Sequence, residues 1–317
     1  MRSTFSQESD FRQERDFGQK ISATFDFLAG HWRPLGRVLL YLVLPAALLQ
    51  SILSVLVQLQ LQDVVRGAVP GRPPSLGGVL GTQRAVWENL LGSPTYWLSA
   101  MVGISFFTLL MLSIYSYIMV LLARRAPGPE VTVAEVWAEV KRGFVGTFFS
   151  MWGVFLLIGV ASFFLVLPGL YLSVALSIFF VVKQAEGTGF GATLSRCLRL
   201  TKGKWWSTFG LILIMALLLY MFLIGIGVIG ALLASGFGGM AARGVDPSSL
   251  AIATTSLTTV LMALIYPLLL LALAFQYFNL VERTDGVGLR RLVDTLGQPA
   301  TPAVSNAAYR PEEEGEY

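Results

Sequence analysis

Residues that commonly perform chemistry are scarce in this chain, which has one histidine, His31, and one cysteine, Cys197. A zinc site draws its ligands from several His, Cys or carboxylate groups, and His31 has no HExxH stretch around it; its neighbour Trp32 marks an interfacial polar residue instead. A lone thiol builds neither a disulfide framework nor a thiolate cluster. No Ser–His pair or intramembrane aspartate pair can be assembled either. The sequence thus predicts a protein that is not an enzyme, with no catalytic residue, no metal and no cofactor. The run Gly225-Ile-Gly-Val-Ile-Gly230 matches the dinucleotide fingerprint by letter, but that fingerprint needs a preceding strand and a helix N-terminus open to water. Inside an apolar stretch the better reading is helix packing, with Gly227, Ala231 and Ser235 recurring every four residues so that a neighbouring helix can approach.

The most suggestive constellation is Arg196, Arg199, Lys202, Lys204, Trp205 and Trp206. Cations at headgroup depth gain about 1 kcal/mol each from an anionic leaflet, and Trp favours the same depth. These six residues form the expected lipid-headgroup site, with anionic phospholipid as the partner. Nucleic acid is not expected, because the net charge of +4 comes from basic residues beside apolar stretches and not from a basic soluble domain. The apolar stretches themselves carry Ser, Tyr, Gln and Asn groups, including Gln50, Ser54, Ser113, Ser116, Tyr171, Gln276 and Asn279. Such groups bond across helices, or they line a path for a small uncharged or lipid-like solute. No Lys, Arg, His or carboxylate lies at mid-membrane depth, where proton relays and ion-coupled carriers place one.

Of the 317 residues, 55% are hydrophobic and 13% charged, against roughly 45–50% and about 25% in soluble domains. Residues 38–61, 97–123, 145–166, 168–182, 205–234 and 251–281 carry no charge at all. A transmembrane helix needs ~20 apolar residues; five stretches meet that, and the fourth extends through Lys183 and Gln184 as a span over 168–184. In hydrocarbon every backbone group must be bonded internally, which a helix does, and the alternating segments of a β-barrel are missing. With the N-terminus inside, 19 of the 23 basic residues fall on the cytoplasmic side and only Arg66, Arg72, Arg84 and Arg243 outside. That bias orients both termini to the cytoplasm. The polar segment before residue 38 excludes a cleaved signal as the origin of the first span.

Three amphipathic segments precede pairs of spans. Their apolar stripes are Phe17, Ile21, Phe25, Leu28 and Trp32; Val133, Val136, Trp137, Val140 and Phe144; and Phe190, Leu194, Cys197, Leu198 and Thr201. Too polar to cross, they are expected to lie in the cytoplasmic headgroup plane, making three units of interfacial helix plus hairpin, with Gly36, Gly146 and Gly210 in similar places. Leu167, Pro168 and Gly169 predict a tight outer turn, Pro starting a helix and Gly taking positive φ. Residues 69–78 and 235–244 read as outer loops rich in Gly, with Pro in the first, and 289–296 as a further surface helix. The expected fold is therefore all-α and polytopic, with about six transmembrane helices in three hairpins and cytoplasmic interfacial helices. It divides into a flexible arm over 1–16, a single membrane domain over 17–296 and a disordered tail over 297–317.

The run ATLSRCLRLTKGKWWSTFG at 192–210, after a span closing in Lys183, and the junction FNLVER at 278–283 resemble the membrane domain associated with bacterial glycerophosphodiester phosphodiesterases and related stand-alone proteins. The resemblance covers residues 130–296. It implies a bacterial cytoplasmic (inner) membrane location and a role at the lipid surface. It does not imply the phosphodiesterase activity, which belongs to a separate barrel with paired acidic and His residues that this chain lacks. The expected function is to organise lipid or recruit partners at the cytoplasmic leaflet; the competing expectation is a transporter or channel.

Overall fold

A computed structural model describes residue 5 and residues 8–68, 76–124, 130–241 and 247–286, and of 8–9, 63–68, 76–79, 226, 229–241 and 247–255 it describes the backbone alone. Its elements are α1 (Glu8–Phe11), α2 (Phe17–Val38), a π-helical turn (Leu39–Val43), α3 (Leu44–Ala68), α4 (Leu76–Gly92), α5 (Pro94–Ala123), α6 (Val133–Phe164), α7 (Val166–Ala175), α8 (Phe179–Glu186), α9 (Phe190–Thr201), α10 (Trp205–Ala241) and α11 (Pro247–Asp285). Among the described residues all regular structure is helical. Six helical segments are long and apolar enough to cross a membrane: Phe17–Gln62, Pro94–Ala123, Val133–Phe164, Val166–Glu186, Trp205–Gly225 and Ser256–Asp285. The chain is an all-α, multi-pass membrane protein.

Local signals set the starts. The Ser93 hydroxyl accepts from Tyr96 N–H at 3.4 Å, with Pro94 in the first helical position. Thr132 and Glu135 form a reciprocal capping box at the head of α6, the Thr132 N–H donating to Glu135 Oε2 at 2.8 Å. α5 packs against α3 and α6, and α11 against α10, α2 and α3. The core lies along α5 and the last turns of α11, where Tyr115, Tyr117, Phe275 and Phe278 are fully buried.

Several expectations change. Within the expected arm, the described Phe5 and Phe11 are buried against Phe27 and Phe275, with ring centroids 5.3 to 6.0 Å apart. Two aromatic rings each remove a large apolar area from water, which is sufficient reason for a polar-looking segment to dock. The first amphipathic segment is continuous with its span through the π turn at Leu39–Val43, with Pro34 accommodated inside α2. Its buried face is Lys20, Ala23, Thr24, Phe27, Leu35 and Val38. Of the expected stripe, Phe17, Ile21 and Leu28 pack beside Leu211, Met215, Leu268 and Ala272, whereas Phe25 and Trp32 are exposed. The apolar face of α2 is thus covered by protein, and the helix is greasy on two sides.

The turn between α6 and α7 falls on Leu165, the one extended residue between the helices. Pro168 and Gly169 lie inside α7, and Gly169 is needed for close approach, not for positive φ: a Cβ there would sit 2.8 Å from the Ser162 Cα. The fourth span is not one rod. It breaks at 176–178, where Phe179 N–H bonds Leu176 O at 2.9 Å and the Ser177 hydroxyl donates to Val174 O at 2.8 Å, so the irregular backbone stays satisfied inside protein. α4 already begins at Leu76, and α10 runs through 235–241, which read as loop from their glycines; Gly is common in membrane helices. The segments 69–75, 242–246 and 287–317, including the expected helix at 289–296 and the tail, lie outside the described residues.

Candidate functional site

The basic–aromatic constellation sits on α9, the turn after it and the first turn of α10. Gly187, at φ 63, caps α8 and releases α9; Gly203, at φ 76, bends the chain between α9 and α10. Both values belong to the left-handed region that only Gly enters freely. α9 buries Thr193, Cys197, Leu200 and Thr201, so Arg199 faces outward, and the bend leaves Lys202 and Lys204 exposed. No described carboxylate forms a salt bridge with these three.

Arg196 departs from the expectation. Its side chain is 13% exposed and is held by two carboxylates: Nε donates to Glu186 Oε1 and Oε2 at 2.9 and 3.2 Å, and the guanidinium forks onto Asp285. Hydrogen bonding to Asp285, followed by Glu186, holds its pKa above the ordinary arginine value. Tyr277 adds a hydroxyl to Glu186 Oε1 at 3.2 Å. Arg196 is therefore a fastener joining α9 to α8 and α11, because Nε and both terminal nitrogens donate to carboxylates on those helices.

The two tryptophans also divide. Trp205 stacks between Tyr171 and Phe209, at centroid distances of 6.0 and 5.2 Å, and its indole N–H donates to Tyr171 O at 3.2 Å. Trp206 stands edge-on to it and is 77% exposed. Of the six expected headgroup residues, Arg199, Lys202, Lys204 and Trp206 form the open surface, while Arg196 and Trp205 hold helices together.

Gly227 is exposed, and an added Cβ there would meet no neighbour within 4 Å among the described residues. α10 packs through Leu211 and Met215, and at ~100° per residue position 227 has turned ~160° from Leu211, onto the far side. The side chains of Ala231 and Ser235 lie outside the described residues. The 225–230 run lies inside α10, with none of the strand and turn context of a nucleotide site.

Sequence reading missed a buried polar seam on α11. Lys20 is 2% exposed, and its amine donates to Gln276 Oε1 at 2.8 Å and Ser207 Oγ at 3.2 Å. Gln276 passes the chain on to Thr208 Oγ1 at 2.9 Å. One turn along, Asn279 Oδ1 accepts from the Arg15 N–H at 2.8 Å, while the Arg15 guanidinium lies 5.2 Å from the Phe275 ring centroid. The available signal was the placement of Lys20 among Ala23, Thr24 and Phe27 at helical spacing.

Elsewhere Gln50 bonds Ser54 and Ser99, and Gln184 bonds Ser116. A cavity of about 480 Å³ opens beside Gln50, Ser54, Tyr96, Ser99 and Gly103. An apolar groove of about 480 Å³ runs between residues 28–44 and 260–267, with Trp32, Arg33 and Arg37 among its lining residues. His31 stacks on Phe27 at 4.4 Å. The Cys197 thiol is fully buried, and burial pushes its pKa up to about 12. No cluster of three His, Cys, Asp or Glu among the described residues could hold a metal. No known family, curated protein or solved structure matches the chain.

Proposed function

We propose that the protein is a non-enzymatic component of the bacterial cytoplasmic membrane, with both termini inside, that organises anionic phospholipid at the cytoplasmic leaflet and offers partners a surface there. One observation carries this reading: Arg199, Lys202, Lys204 and Trp206 share one exposed bend, and no described carboxylate forms a salt bridge with its three cations. Three such charges gain about 3 kcal/mol from an anionic leaflet if each gains about 1 kcal/mol. The groove bordered by Trp32, Arg33 and Arg37 suits an acyl chain below an anionic head.

The test is lipid selectivity in reconstituted bilayers, read by electron paramagnetic resonance with spin-labelled phosphatidylglycerol and phosphatidylcholine. The native chain should prefer phosphatidylglycerol, with a preference that falls as salt rises. Replacing Arg199, Lys202 and Lys204 together by Gln should abolish most of it, whereas unchanged selectivity would refute the assignment. The competing reading, passage of a small uncharged or lipid-like solute, has the Gln50–Ser99 cavity in its favour; solute uptake into proteoliposomes decides between the two.

A further inference from the structure

We infer that the α6–α7 hairpin is a membrane-embedded wedge whose turn stays in the hydrocarbon instead of emerging into the outer aqueous phase. The inference stands apart from the lipid-headgroup reading. Its first support is the turn itself. Phe163, Phe164, Leu165, Val166 and Leu167 are consecutive and 66 to 85% exposed, the longest such run among the described residues. An aqueous loop would place five large apolar side chains in water together, while acyl chains solvate them at no cost. Residues 143–182 carry no charge, and at ~1.5 Å per residue they supply about 60 Å of helix in total, shared between two arms. Two full crossings of a ~30 Å core would consume all of it and leave nothing for an aqueous turn.

The second support is a contact. The hairpin's two charged ends lie together, since Lys183 Nζ donates to Gly146 O at 2.9 Å. α9, of 12 residues, reaches about 18 Å and cannot cross to the other face. The bend carrying Lys202 and Lys204 is therefore on the side of the hairpin's ends. Trp205 follows that bend directly and bonds Tyr171 O at 3.2 Å, so Tyr171 lies near the charged surface. The turn residue Leu165 is six residues away, a rise of at most about 9 Å. This leaves the tip roughly 20 Å or less from the surface it started from, short of the ~30 Å needed to cross. α6 from 143 to 164 extends about 33 Å along its axis, so the pair lies oblique to the bilayer normal. A re-entrant pair returns the chain to the side it left, which is why the distribution of basic residues cannot distinguish it from two crossings. Its partner is the acyl region of the leaflet that receives Lys202 and Lys204, and it adds volume to that leaflet more than to the other.

Single-cysteine labelling tests this on the full chain in sealed vesicles, with the native thiol removed as Cys197→Ala. Leu165→Cys should resist a membrane-impermeant maleimide added from either side and react only after denaturation, while Gln83→Cys, on exposed α4, reacts rapidly from one side. Reaction of Leu165→Cys from the Gln83 side within about threefold of the Gln83→Cys rate would overturn the inference, as would rapid reaction from the opposite side. A nitroxide on the same cysteine gives a second readout: oxygen should relax it strongly and a water-soluble nickel chelate hardly at all. Strong relaxation by the nickel chelate would place the tip in water and overturn the wedge independently of chemical reactivity.

Discussion

Arg196→Gln is the perturbation that separates a fastener from a headgroup ligand. The native side chain satisfies Glu186 and Asp285 at once, at 13% exposure against 24% and 32% for its partners. Breaking a fully buried pair costs about 3–5 kcal/mol, and breaking an exposed one about 0–1 kcal/mol. The intermediate burial here places the loss near 2 kcal/mol, because two carboxylates keep part of their hydration when their common donor leaves. Cys197 supplies the assay. It is the next residue, it is fully buried, and burial raises its pKa to about 12, so it reacts only when α9 lifts away. About 2 kcal/mol less opening free energy should accelerate its labelling by a thiol reagent roughly 30-fold at fixed pH. Arg196→Lys should recover little, since a point ammonium cannot fork onto two carboxylates. Labelling of Arg196→Gln within threefold of the native rate would refute the idea that this network docks α9.

Three further perturbations probe packing. Gly169→Ala forces a Cβ to 2.8 Å from the Ser162 Cα and should cost about 1–3 kcal/mol, seen as a lower Tm in detergent. Gly153→Ala meets only the far edge of the Phe190 ring, at 2.8 and 2.9 Å; that ring can rotate away, so its Tm should fall less than that of Gly169→Ala. Phe11→Ala removes a side chain that is 1% exposed within a cluster of Phe5, Phe27, Phe275 and Phe278 and should cost about 3–5 kcal/mol, with protease cleavage appearing within residues 1–16 that the native chain resists.

Hydropathy blocks made the fold class legible, because roughly 20 uncharged residues in a row have one stable solution in a bilayer. The facing of each helix was not legible, for a reason specific to lipid. In water the apolar stripe of a helix is the buried stripe, but a membrane rod is apolar toward protein and lipid alike, so periodicity no longer says which side meets a neighbour. Gly227 shows the difficulty: read as part of a packing seam, it is exposed on the side of α10 away from Leu211 and Met215. α2 shows the converse, where Phe25 and Trp32 completed a convincing stripe and yet lie exposed, while Lys20 is buried. The same ambiguity divided the headgroup site. Arg196 and Arg199 look equivalent by type and depth, and only the turn at Gly187, which folds Glu186 back beside Arg196, distinguishes the bound cation from the exposed one.

The three amphipathic units finally differ at one backbone position. α2 runs into α3 through a π turn and α6 is one rod, but α9 is severed from α10 at Gly203, whose φ of 76 reverses the local hand. That bend exposes Lys202 and Lys204 and sets Trp205 against Tyr171. A Cβ would meet no neighbour there, so any cost of substitution comes from the backbone alone, about 1–2 kcal/mol for an ordinary residue and less for Asn. Gly203→Ala should therefore lower Tm and weaken phosphatidylglycerol selectivity together, with Gly203→Asn close to native in both. If Gly203→Ala lost stability but kept full selectivity, the bend would be a packing device only, and the cations beside it would not depend on it for their placement.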